Sequence, residues 1–167
     1  MRIIDESFTR APQKYIIQSL LATVVVVIII YFVEFLTHEA IVAALGASTF
    51  IVFIMPHSIN AQPRRLIGGH IVGLICGLIC YYAFLTGSLN ELTKNWEFVR
   101  WFAYALAVGL SIFLMAITNI EHPPAASTAL GIAAHEWSYQ TIIFILLCAI
   151  CLALVRRLLS GYLKDLY

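Results

Sequence analysis

Long apolar runs, broken by short polar clusters, set the pattern of this chain. Four runs hold some twenty residues each, at 16–36, 66–85, 98–118 and 139–159. A helix rises about 1.5 Å per residue, so each can cross a hydrocarbon core of about 30 Å. Two further apolar runs are shorter. Residues 41–55 reach only about 22 Å as a helix, and residues 124–134 still less. Inside lipid every backbone polar group must be satisfied within the chain, so helix is expected throughout, even across the β-branched stretch 24–30.

The second short run opens at Glu121-His122-Pro123-Pro124-Ala125-Ala126-Ser127-Thr128. Proline has a fixed φ and no N–H, which suits the first turn of a helix and little else within one. The pair Pro123 and Pro124 therefore predicts a helix start, continuing through 125–133 with His122 at or beside the cap. The first amides, those of Ala125, Ala126 and Ser127, are expected to point back toward His122 and to attract an anion. The first short run carries Gly46-Ala47-Ser48-Thr49 and is followed by the polar loop Pro56-His57-Ser58-Ile59-Asn60-Ala61-Gln62-Pro63-Arg64-Arg65.

Two halves emerge, each reading long helix, short helix, long helix. Ala47-Ser48-Thr49 matches Ala126-Ser127-Thr128, and Leu74-Ile75-Cys76 matches Leu146-Leu147-Cys148. Internal repeats with interrupted apolar segments point to a transporter binding site. The expected organisation is a leader at 1–15, a first membrane repeat at 16–85, a connector at 86–97, a second repeat at 98–159 and a tail at 160–167. The first run has a basic flank (Arg2, Arg10, Lys14) and no Ala-x-Ala site after it, so it is expected to stay as an anchor. Positive-inside counting gives eight bases against two for four spans with re-entrant short helices. It gives the same for six spans: Arg64 and Arg65 fall outside in the first case, Lys94 and Arg100 in the second. Both keep the termini cytoplasmic. The shortness of 124–134 favours four spans plus two half-helices.

Composition fits this reading. The chain is 62% hydrophobic and 11% charged, against roughly 25% charged in soluble domains. Its net charge of +1 gives no global field to attract nucleic acid. Cys76/Cys80 and Cys148/Cys151 fall on helix faces within apolar runs and read as packing residues, not metal ligands. No cofactor is implied. Trp96, Trp101 and Tyr104 form an aromatic anchor at the start of the third long run. Glu34, His38 and His135 are expected at the interface.

The candidate chemistry gathers at the short runs. His122 can carry a proton near neutral pH, and with it the charge an anion needs; Glu121 beside it either tunes that proton or faces water. Ser48, Thr49, Ser127 and Thr128 offer hydroxyl donors, though such groups also bond back to their own helix. His57, Asn60 and Gln62 sit on irregular backbone that either lines a cavity or lies outside the membrane. Arg64 is the nearest fixed positive charge, or an interfacial anchor. His70, after two glycines, is placed to face the same cavity. A membrane metalloenzyme lacks its motif here: there is no His-Glu-x-x-His, and no two histidines lie three or four apart. The two Asp residues, at 5 and 165, are too near the termini for a Ser-His-Asp site. A non-transporting scaffold or sensor subunit is the other class.

Gly46-Ala-Ser, Pro56-His57-Ser58, Ala61-Gln62-Pro63-Arg64, Gly68-Gly69-His70 and His122-Pro123-Pro124-Ala125, in that order, resemble the HPP family of integral membrane proteins. The resemblance covers nearly the whole chain and implies four transmembrane helices. Some members are associated with nitrite transport, so it also implies a small anion as substrate. The expectation is therefore an all-α membrane protein with four long transmembrane helices and two short or re-entrant half-helices in two repeats. It would reside in the cell membrane and pass a small inorganic anion, nitrite above others. His122, Ser127 and Thr128 would form one side of the site, and Ser48, Thr49, His57 and Arg64 the other. Glycine-rich faces such as Gly73/Gly77 let helices approach closely and favour a homo-oligomer.

Overall fold

The computed structural model describes residues 6–33 and 39–166. Glu34, Thr37 and His38 lie outside the described residues. All regular structure in the described residues is helical: α1 (Glu6–Arg10), α2 (Pro12–Val33), α3 (Glu39–Ile54), a 3₁₀ turn (Ile59–Ala61), α4 (Pro63–Cys80), α5 (Asn90–Asn95), α6 (Glu97–Ile117), α7 (Pro124–Ala134) and α8 (Tyr139–Leu159). A π-helical turn, Tyr81–Thr86, extends α4. Four helices are long and apolar enough to cross a membrane, and α3 and α7 are the shorter apolar ones. The four-plus-two architecture holds. The connector contains one element that its polar sequence concealed, the six-residue α5.

Contacts at the helix ends fix the running directions. The Gln18 side chain near the start of α2 donates to Phe53 O at the end of α3 and pairs with the Lys164 backbone beyond α8. Arg156, late in α8, donates to Pro56 O. At the same end Arg64 and Arg65 of α4 reach Thr118 and Glu121, between α6 and α7. At the opposite end Trp137 packs on Tyr81 and Tyr82, and Phe84 packs on Phe102. Successive helices α2, α3, α4, α6, α7 and α8 therefore alternate in direction. The short helices carry the chain from one end to the other and do not double back. Irregular backbone at 118–123 precedes the eleven residues of α7, with His122 its one buried member and Thr118, Asn119 and Pro123 exposed.

α7 is the axis of the molecule. Pro124, Ala125, Thr128, Ala129, Gly131, Ile132 and Ala133 are all buried. Small side chains on α4 allow that burial. A Cβ on Gly73 would stand 2.4 Å from Ala125 O, and one on Gly77 would stand 2.7 Å from Ile132 Cβ. On the other flank a Cβ on Gly131 would meet Ile41 Cγ1 at 2.9 Å. Close approach of this kind is how helices associate where lipid supplies no hydrophobic drive. α2, by contrast, is peripheral and turns Ile16, Ile17, Leu20, Val24 and Val27 outward. The cysteine pairs differ: Cys76 and Cys80 are buried in the packing, whereas Cys148 is half-buried and Cys151 exposed on α8.

Candidate functional site

The close packing of α7 on α4 brings four polar side chains together in the interior. His70, His122, Ser48 and Thr128 each have 0% exposure. Ser48 Oγ lies 3.0 Å from His70 Nε2 and 2.9 Å from His122 Nε2. His70 Nδ1 lies 2.9 Å from Thr128 Oγ1, and His122 Nδ1 lies 3.0 Å from Asn60 O.

The chemistry of the partners assigns the hydrogens. A backbone carbonyl only accepts, so His122 Nδ1 carries the proton and donates to Asn60 O. The Nε2 of a neutral imidazole must then accept, and Ser48 donates to it. Ser48, its one proton spent, accepts from His70 Nε2–H, which leaves His70 Nδ1 to accept from Thr128. Thr128, His70, Ser48, His122 and Asn60 O thus form one chain of four bonds, all pointing the same way. With both rings neutral, every ring nitrogen is satisfied. Ala44 O, 2.9 Å from Ser48 Oγ, is a second acceptor for the hydroxyl. If His122 gains a proton, its Nε2–H donates to Ser48, whose hydroxyl turns to Ala44 O. The network can hold an extra proton without orphaning a donor.

One turn nearer the end that holds the termini, the buried guanidinium of Arg65 pairs with Glu121 and also donates to Asn119 Oδ1. Asn119 takes a left-handed backbone (φ 55°), which Asn tolerates better than most residues. The negative charge beside His122 is therefore paired with Arg65, while 44% of the Glu121 side chain stays exposed.

The expected site residues divide. His122, Thr128 and Ser48 are in the network. Thr49 is buried but donates to Leu45 O of its own helix at 2.9 Å. Ser127 is half-buried on another side of α7. His57 is directed outward: its backbone N–H donates to Asp165 and its ring lies 3.5 Å from that carboxylate. Arg64 is exposed, with Nη2 3.4 Å from Thr118 O. Pro123 caps α7 and Pro124 opens it, as the proline pair predicted. The expectation of free first amides is corrected at two of its three positions: Ala125 N–H donates to His122 O and Ala126 N–H to Pro123 O. Those donors are spent on the turn that the prolines impose. His70, Arg65 and the carbonyl of Asn60 are the members the expected set left out.

Two transmembrane proteins of Dictyostelium discoideum are similar to this chain. One is 40% identical over 92 residues, covering 55% of the chain and 29% of the relative. The other is 37% identical over 91 residues, covering 54% of the chain and 26% of the relative. The chain thus spans under a third of the length of the curated relatives it matches. No solved structure matches it. The family model described as "HPP, transmembrane region" matches residues 8–164. By that match, which takes in α2 through α8, the chain belongs to the HPP transmembrane family.

Proposed function

We propose that this protein passes a small monovalent anion, nitrite being the first candidate, across the cell membrane together with a proton. The buried His70–Ser48–His122 bridge carries this reading. Ionisable residues inside a membrane bundle are costly and face the bundle interior, where they mark ion and proton pathways. A proton on His122 supplies the charge that attracts the anion, and Ser48 and Thr128 supply hydroxyl donors in place of its water. Since the amides of Ala125 and Ala126 are occupied, His122, His70 and the hydroxyls hold the anion; the helix terminus does not. Release requires only that the proton leave and the network close again. The described bases at the end of the termini, among them Lys14, Arg64, Arg65, Arg156 and Arg157, support a cytoplasmic location for that end.

Nitrite uptake into proteoliposomes tests it, comparing wild type with His122→Gln between pH 5.5 and 8. Gln can keep a donor and an acceptor in place but cannot hold a proton. Wild-type uptake should rise as pH falls, and the variant should lose both rate and pH dependence. Folded wild-type protein that passes no nitrite, nitrate or formate would move the reading to a scaffold or sensor subunit.

A further inference from the structure

A cavity of about 340 Å³ opens at the end of the bundle opposite the termini, between the π turn, α5, the start of α6 and the segment joining α7 to α8. Tyr81, Asn90, Lys94, Arg100, Tyr104 and Glu136 line it, and Ala134, the last residue of α7, forms part of its floor. It holds Lys94 and Arg100, the two bases of the chain's interior that do not lie at the other end. Lys94 is already tied to Glu91 at 3.0 Å. Arg100 is half-buried. With Lys94 paired to Glu91, the charges left to line the cavity are Arg100 and Glu136.

Beneath this floor small side chains of three helices meet. Cys76, Cys80, Ala107, Ala129 and Ala133 form one buried cluster, with Tyr104 packed against it and also lining the cavity. Ala129 adjoins Thr128, whose hydroxyl meets His70. Small side chains of α4 and α7, flanked by Leu106, Leu110 and Leu114 of α6, therefore lie between the cavity and the histidine bridge. Large side chains would have to swing out of such a seam to open it, whereas small ones need only a slight separation of helices.

We infer that this cavity is the mouth through which the small anion reaches the histidine bridge, with Arg100 as its attracting charge and the Cys76–Cys80 seam as the gate below it. The inference rests on the transport reading for the identity of the ion, but the route can be tested without it. In protein carrying Cys148→Ser and Cys151→Ser, Cys76 and Cys80 are the remaining thiols. A membrane-impermeant thiol reagent should modify Cys80 only from the side opposite the termini, and faster under a nitrite gradient. No modification from that side under any gradient, or modification only from the side of the termini, overturns the route. In the flux assay, Arg100→Gln should raise the half-saturating nitrite concentration about tenfold, the loss of one charge-assisted contact. Arg100→Lys should recover most of it. An unchanged half-saturation in Arg100→Gln removes Arg100 from the mouth. Wild-type vesicles that pass no nitrite sink the transport reading and leave the route to be decided by the thiol measurement alone.

Discussion

The rings of His70 and His122 face each other with centroids 5.2 Å apart and planes tilted by 59°. One hydroxyl, that of Ser48, bonds to the Nε2 atoms of both. Two imidazoles from different halves of the chain are thereby joined by a group that can donate to either of two acceptors.

Removing that hydroxyl leaves both Nε2 atoms without a partner in a dry interior. Ser48→Ala should lower stability by about 1–3 kcal/mol, the cost of unsatisfied buried polar groups. Thermal unfolding in detergent measures this. Thr49→Ala should cost less, since Thr49 only bonds back to Leu45 O.

The α4–α7 contact makes a sharp contrast between two glycines. Gly73→Ala places a Cβ 2.4 Å from Ala125 O, so the helices must separate. Overpacking of this kind costs about 1–3 kcal/mol, and because it moves Thr128 off His70 it should also reduce flux. A Cβ on Gly46 meets nothing within 4 Å. Gly46→Ala should be neutral or slightly stabilising in the same melts.

Arg65 and Glu121 are unequal partners. The Arg65 side chain is 9% exposed and that of Glu121 is 44% exposed. Fully buried pairs cost about 3–5 kcal/mol to break; here solvent around Glu121 should hold the loss in Glu121→Gln to about 1 kcal/mol. Arg65→Leu also deprives Asn119 of its partner and should cost more. Chemical denaturation of the two variants gives the ordering.

Gln18 holds the end of α3 and the C-terminal segment to α2 through its side-chain amide. Gln18→Leu should free that segment, seen as faster proteolysis around residues 160–166 with the rest of the bundle still protected.

Much of this was legible in the apolar pattern. The four long helices lie where the runs lie, and Pro123-Pro124 marked the start of α7 to the residue, because proline restricts the backbone whatever surrounds it. Helical phase carried a further signal that the expected set did not use. Arg65, Gly69, Gly73 and Gly77 are each four apart, so they share one stripe of α4. That stripe receives α7, which is why Arg65 and not Arg64 is buried and why His70, beside Gly69, meets the site. The matching Ala-Ser-Thr triplets misled in one respect: the network takes Ser48 from the first and Thr128 from the second, which are not equivalent positions. Other features were not local. Two amides at the start of α7 are consumed by carbonyls that the prolines fold back onto them, and the partner of His57 lies 108 residues away at Asp165. The direction of the short helices depends on contacts between chain ends, which no run of residues encodes.

The central claim is that the His70–Ser48–His122 bridge takes up a proton as an anion passes. Internal pH in proteoliposomes, followed on imposing a nitrite gradient and corrected with protein-free vesicles, measures it most directly. Wild-type vesicles should acidify in step with nitrite entry, and Ser48→Ala and His70→Gln should show both signals reduced together. Nitrite entry by wild type with no accompanying proton, or acidification unchanged in both variants, would contradict the claim.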